Sequence, residues 1–145
     1  MKMSCQVLQM TTAEEIDVRN ITSAVEELLA QSGIRNGFIV VASRHTTTAV
    51  TLNEDESRLG EDLKAFLARL VPKDAHYLHN DIHLRDCPPD EPQNAHSHIA
   101  AMVLGSSEVI PLIDGTLGLG SWQSLLFVDL DGPRERTVSI QIIGQ

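Results

Sequence analysis

The apolar positions along this chain change period several times, and each change predicts a new element. From Ser4 to Thr11, Cys5, Val7 and Leu8 or Met10 alternate with Ser4, Gln6 and Gln9. That two-residue period is the pattern of a half-buried strand. Glu14 to Val18 reads as a second short extended piece. Ile21, Ala24, Val25, Leu28 and Leu29 then recur at three- and four-residue spacing, which predicts an amphipathic helix with Glu26 and Glu27 outward. Asn20, Thr22 or Ser23 is the expected cap, with Ser23 and Glu26 in capping-box register. Gly33 before apolar Ile34 fits a left-handed stop.

Asn36-Gly37 marks a turn into Phe38–Ala42, a β-branched run expected to be a strand buried on both faces. Thr46 to Leu52 is β-prone again, and Asn53-Glu54-Asp55-Glu56 breaks it. A second helix is predicted with Leu59, Leu63, Phe66, Leu67 and Leu70 on one face, stopped by Pro72. No period holds from Lys73 to Asn94, a length that usually marks a functional or disordered connection. Ala95 to Leu104 suits a short helix ending at Gly105. Strand patterns then cover Glu108–Ile113, Leu125–Leu130 and Thr137–Ile143. They are separated by the hairpin signal Asp114-Gly115, a tight Gly118–Ser121 segment before Trp122, and the turn Asp131-Gly132-Pro133. Six or seven strands with two main helices predict an α+β or sandwich-like single domain over residues 1–145.

Composition narrows this picture. One Trp, one Tyr and three Phe leave valine, isoleucine and leucine to fill the core. A net charge of −9 argues against nucleic acid and against anionic membranes as partners. Cys5 and Cys87 have no CxxC spacing, and no apolar run is long enough to span a bilayer. The expectation is a cytoplasmic protein with two free thiols, with Cys87 a lesser candidate ligand.

Candidate chemistry concentrates in histidine. Five of the six fall between His76 and His98, and His45 opens the polar run His45-Thr46-Thr47-Thr48. Neutral imidazoles are common metal ligands and titrate near working pH, so a metal site and a solvated histidine loop are both open readings. The four-residue spacing of His79 and His83 would share a helix face, and the two-residue spacing of His96 and His98 a strand face. Glu54, Asp81 and Asp86 are candidate bases or imidazole-orienting acids, with Glu54 favoured; Asn94 is a candidate polar contact. Arg134 and Arg136, two apart after Gly132-Pro133, could form a phosphate fork, with Arg44 before His45 a further cation. The Gly118–Ser121 turn could offer N–H groups to an anion. Trp122 suits either a stacking platform or a core or interface role. No GxSxG supports serine catalysis.

Several of these stretches together resemble one family. His45-Thr46-Thr47-Thr48-Ala49-Val50-Thr51-Leu52-Asn53-Glu54 resembles the HTS/HTT-A-x-T-x-N-E motif of the YjbQ-like family. Tyr77-Leu78-His79-Asn80 resembles its Y-x-H motif, and Ser97-His98-Ile99 its [SA]-H-[ILV] motif. Asp114 to Gln123 resembles D-G-x-L-x-x-G-T-W-Q, with Ser121 in place of Thr, and Gly132 to Arg136 matches a basic hairpin. The resemblance implies a jelly-roll-like β-sandwich assembled as a homotrimer. It also implies a site near a subunit boundary where His45, His79 and His98 hold a zinc-like divalent metal. His76, His83 and His96 inherit less. The family's usual label, secondary thiamine-phosphate synthase, implies a phosphorylated heteroaromatic substrate. Glu54, His45 and Asn94 would then be catalytic, and Arg134, Arg136, Trp122 and Gln123 would bind substrate or phosphate. Pyrophosphate departure usually calls for magnesium, whereas three imidazoles suit zinc-type ions. That tension keeps open a zinc-type hydrolase or lyase, and a non-catalytic trimer that binds metal or phosphometabolite.

Overall fold

The computed structural model describes residues 1–145 and contains eight strands and three α-helices. In chain order these are β1 (Lys2–Thr11), β2 (Asp17–Asn20), α1 (Thr22–Ser32), β3 (Gly37–Ser43), β4 (Thr48–Asn53) and α2 (Ser57–Leu70). They continue with α3 (Ala95–Leu104), β5 (Ser107–Ile113), β6 (Thr116–Leu117), β7 (Ser124–Asp129) and β8 (Glu135–Gly144). The strands form two antiparallel sheets, one ordered β1-β8-β3-β5-β6 and the other β2-β7-β4. The first four strands alternate between the two sheets.

The core explains the layering. Ile39, Val41, Ile110, Leu112, Val138, Ile140 and Ile142 from the larger sheet meet Val50, Leu125 and Phe127 from the smaller one, with Val25 and Leu29 of α1 beside them. A second cluster on the other face of the smaller sheet joins Ala49, Val128 and Leu130 to Leu67 and Val71, at the end of α2, and to Ala100 and Ala101 of α3. The order of layers is therefore large sheet, small sheet, then α2 and α3, with α1 beside the inter-sheet core, and β7 is the strand buried on both faces.

Several local expectations are corrected. The strand buried on both faces is β7 and not β3, where Ile39 and Val41 are buried while Phe38 is 41% exposed. In β1 the inward residues are Leu8 and Met10, while Cys5 and Val7 face out; apolar side chains occupy both faces, so periodicity alone cannot choose. The Ser23–Glu26 capping box does not form; Asn20 Oδ1 instead accepts the Thr22 N–H at 3.1 Å. Gly33 ends α1 in the left-handed region as expected, at φ 65°. Of the predicted α2 face only Leu67 is buried, and Leu59, Phe66 and Leu70 stay exposed. The helix from Ala95 is a full third partner and packs on the smaller sheet.

One buried ion pair joins the two sheets. Asp129 ends β7 and Arg136 begins β8, and both are almost wholly inaccessible. Arg136 Nε donates to Asp129 Oδ2 at 2.9 Å and Nη2 to Oδ1 at 2.7 Å. Thr12 Oγ1 adds a bond to Oδ2 at 2.7 Å and the Asp131 N–H one to Oδ1 at 3.0 Å, and Arg136 Nη2 also reaches Thr47 Oγ1 at 3.0 Å. Gly132 stands at the edge of this cluster, where a Cβ would overlap the Glu14 carbonyl oxygen and crowd Thr12 and Asp129.

Burial pushes the Asp129 carboxyl up, but the bonds from Arg136, Thr12 and Asp131 together with the Arg136 charge outweigh it, leaving the carboxyl below its ordinary range. The pair therefore contributes stability that is complete above the unfolded carboxyl value of about 3.9 and is lost as the pH falls through the lower folded value. Asp129→Ala leaves Arg136 charged and buried, so the free energy of unfolding in urea should fall by about 3–5 kcal/mol at pH 7. The gap between variant and wild type should narrow below about pH 4 as the wild type loses the same interaction; a loss under about 1 kcal/mol at pH 7 would contradict the role assigned to the pair.

Candidate functional site

The 71–94 connection and the start of α3 bring two of the predicted histidines into contact. His79 lies in a 3₁₀ turn over Leu78–Asn80 and His98 in the first turns of α3. Asn80 Oδ1 accepts the Ala95 N–H at 3.1 Å, which docks the turn on the helix start. Their rings then meet edge-on, with centroids 4.7 Å apart and planes inclined by 67°. Arg85 closes over the turn by donating from Nη1 to the His79 carbonyl at 2.9 Å. It makes no ion pair with any carboxylate, which leaves most of its donors free beside the two rings.

His45 reaches the same region from the other side. It shares an open cleft of about 340 Å³ with His98, Thr46, Thr48, Met102 and Ser106. The Thr137 N–H donates to His45 Nε2 at 2.9 Å, so the neutral ring carries its proton on Nδ1. Burial, and then the positive charge of Arg136, hold the His45 pKa below its ordinary value. Burial and then His79 do the same for His98. Both rings are therefore neutral at pH 7, the form that ligates metals and accepts protons.

The donor types suit a zinc-like ion, and His79 and His98 stand as an adjacent pair. The third ligand is not in place: within the chain no three His, Cys, Asp or Glu side chains come together in a group able to hold a metal. His45 has the lone pair of Nε2 taken by the Thr137 N–H and its proton on Nδ1, so in this orientation neither nitrogen is free to ligate. Cys87 points to the Ile82 carbonyl, 3.9 Å away, and His76 pairs with Asp81 at the surface. His83 is exposed in a separate 3₁₀ turn, Ile82–Leu84, so the four-residue spacing from His79 does not define a helix face. His96 and His98 lie on a helix and not a strand; two residues turn a helix by about 200°, so they face opposite sides.

The expected phosphate fork is also corrected. Arg136 is 4% exposed and spent on Asp129 and Thr47. Arg134 bonds the Asp131 carboxylate and carbonyl, at 2.9 and 2.8 Å. In the Gly118–Ser121 turn the Gly118, Leu119 and Gly120 N–H groups are spent on Pro111, Leu117 and Gln123. Gln123 itself closes that turn, while Trp122 is 77% exposed beside it. Asn94 donates to Asp131 Oδ2 at 2.7 Å and accepts the His98 N–H on its carbonyl, so it ties α3 to the β7–β8 turn.

Glu54 stands apart. Thr48 pairs with Asp129 and Asn53 with Ser124 at the opposite end of the ladder. Six residues of strand put about 17 Å between those ends. His45, Asn94 and the arginines occupy the Asp129 end; Glu54, Trp122 and Gln123 occupy the Ser124 end. Sequence reading passed over Asn80, Arg85 and Thr137, the three residues that position or charge the histidine region. Arg85 carried one signal, a cation six residues after His79 inside the histidine-rich stretch.

The His79–His98 contact yields a check on metal-stripped protein. Removing His79 relieves part of what holds His98 down, so in His79→Gln the His98 ring proton should titrate at higher pH than in wild type. Histidine ring signals followed by NMR from pH 4 to 8 measure this, and an unchanged His98 midpoint would show that the rings do not meet in solution.

With fold and geometry in hand, the chain can be set beside known proteins. The family described as UPF0047 protein YjbQ-like matches residues 6–145. A UPF0047 protein of Methanothermobacter thermautotrophicus is 42% identical over 145 residues, covering 100% of this chain and 95% of its own length. The UPF0047 protein YugU of Bacillus subtilis is 30% identical over 140 residues, covering 96% and 98%. Among solved structures, APE1520 of Aeropyrum pernix K1 superposes with a TM-score of 0.89 at 39% identity, covering 98% and 99%. The YbjQ-like protein SSO2532 of Sulfolobus solfataricus P2 does so with 0.88 at 33%, covering 99% of each chain. Motifs, matched length and fold agree: the chain belongs to the YjbQ-like UPF0047 family.

Proposed function

We propose that this chain is a small metal-dependent enzyme of the thiamine-phosphate-synthase type, acting on a phosphorylated heteroaromatic metabolite at a site assembled between copies of a homotrimer. The observation that carries the reading is the division of the family-motif residues between the two ends of the β4–β7 ladder. In a single chain Glu54 and Trp122 lie toward the end of the β4–β7 ladder that is about 17 Å along the strand from the histidine end. A neighbouring copy whose Ser124 end meets the histidine end of the first restores one site.

Two features support assembly. The outer face of the larger sheet is apolar and bare, with Met3, Val7, Phe38, Val109 and Ile113 all more than 40% exposed; a continuous face of this kind marks an interaction surface. The strand order, with 1-8-3 in one sheet and 2-7-4 in the other, supports the jelly-roll-like class, which assembles readily through exposed sheet faces.

In this reading His79 and His98 would hold a zinc-like ion, which would supply Lewis acidity toward a substrate oxygen, and His45 would join them through Nε2 once its ring turns from Thr137. Arg85 takes the role expected of Arg136: its free guanidinium donors lie beside the rings and bind substrate phosphate. Trp122 of one copy stacks the heteroaromatic ring, and Glu54 receives the proton released in the reaction. Membrane and nucleic-acid partners are not part of the reading, and no helix is long and apolar enough to cross a membrane.

A second reading, binding without turnover, is favoured by one observation. Of the two acids that act on His98, Asp131 already accepts from Asn94 and Arg134, which leaves only the weaker-acting Glu91 of the 71–94 connection as a base for that ring. Complementation separates the two. Thiamine phosphate formation, from hydroxymethylpyrimidine diphosphate and thiazole phosphate, should fall at least 100-fold in Glu54→Gln and in His98→Ala. It should return in part when the two variants are co-expressed, since mixed trimers contain some intact sites. No recovery, or a monomeric mass by light scattering, would overturn the shared site. Elemental mass spectrometry should find near-stoichiometric transition metal in wild type and Glu54→Gln, and loss in His79→Ala and His98→Ala. Metal loss in Glu54→Gln would make Glu54 structural, and an absence of metal in all samples would turn the assignment to magnesium.

A further inference from the structure

α2 leaves most of its apolar surface open. Leu59, Leu63, Phe66 and Leu70 follow one another at spacings of four, three and four residues, the alternation that draws a seam along one side of a helix. Leu63 is half-buried at the edge of the core, while Leu59, Phe66 and Leu70 are 41%, 47% and 46% exposed. Leu67, the one buried residue of the helix, lies beside this seam and not on it. A seam with this alternation is the packing surface for a second helix.

The spacing itself identifies the occupant. Four, three, four reads the same in both directions. Two copies of α2 laid antiparallel about a two-fold axis therefore set Leu59 against the second copy's Leu70 and Leu63 against the second copy's Phe66, and each contact occurs twice.

The charges agree with the same register. Asp62 and Arg69 each stand one residue before a seam leucine, on the flank opposite Leu67. In the antiparallel pair, Asp62 of one copy and Arg69 of the other are offset by only about 3 Å along the helix direction, at a rise of about 1.5 Å per residue. Both are exposed, and neither makes an ion pair within the chain. Two opposite-charge pairs thus close one flank of the seam, while the other flank faces each copy's own core.

We propose that α2 is a self-docking surface. A second copy of this chain packs its own α2 antiparallel on the seam, through Leu59, Leu63, Phe66 and Leu70, and the Asp62–Arg69 pairs set the register. The contact does not rest on the reaction or the shared site proposed above. With the homotrimer, it joins two trimers into a hexamer; without it, it makes a dimer. The number of chains is even in both cases.

Sedimentation velocity on the full chain over a range of concentrations tests it. The wild type should reach an even number of chains. Phe66→Glu, at an exposed position, should keep its far-ultraviolet circular dichroism and halve that mass. Asp62→Arg and Arg69→Asp each turn both pairs into like-charge contacts, and each should weaken association about tenfold. The double variant carrying both exchanges should regain wild-type association. An equimolar mixture of the two single variants should associate more tightly than either alone. This rescue is the readout that a merely destabilised helix would not give. A highest mass of one or three chains, an even mass kept in Phe66→Glu, or no rescue in the double variant and the mixture would each overturn the proposal. A dimer in place of a hexamer would count against the trimer and support this contact. Should Phe66→Glu lose its helix signal, the charge exchange still decides.

Discussion

A buried carboxylate and a buried guanidinium hold this molecule together. Asp129 and Arg136 come from strands in different sheets, and each would be costly to bury alone. Four hydrogen bonds to the carboxylate and three from the guanidinium offset that cost and fix where the sheets approach, because Thr12 and Thr47 bring the residue after β1 and the residue before β4 to the same point. The pair also works at a distance. Burial is the first cause that keeps His45 neutral; the Arg136 charge adds to it and the Asp129 charge acts against it, so both members of the scaffold pair are felt at the candidate site.

Much of this architecture was legible in the sequence. Strand and helix positions follow from periodicity, and the turns at Asp114-Gly115 and Asp131-Gly132-Pro133 lie where their residue types place them. Facing was harder to read. In β1 and β3 apolar side chains occupy the outer face as well as the inner one, and a pattern of hydrophobicity cannot separate a core from an apolar surface left open. Arg136 misled for a related reason: a basic residue after a turn looks like surface until its carboxylate partner, seven residues earlier, is seen on the strand of the other sheet.

The site was legible in its residues and not in its grouping. The motifs pick out His45, His79 and His98, and the fold brings His79 against His98 with His45 on the adjoining cleft. Nothing local says that the motif beginning at His45 spans a strand from end to end, which separates its histidine from its glutamate. The same limit applies to His96 and His98. Their spacing is neutral between strand and helix, and only the observed helix shows that they serve two different faces.

The bond between Asn80 and the Ala95 N–H pins both ends of the segment from 81 to 94. Because its ends are fixed at the histidine contact, that segment is a closed loop whose interior can lengthen at small entropic cost, about 0.6 kcal/mol for each doubling of length. Insertions there would change what covers the histidines without moving them. The length of that stretch can therefore differ while the His79–His98 contact stays as it is.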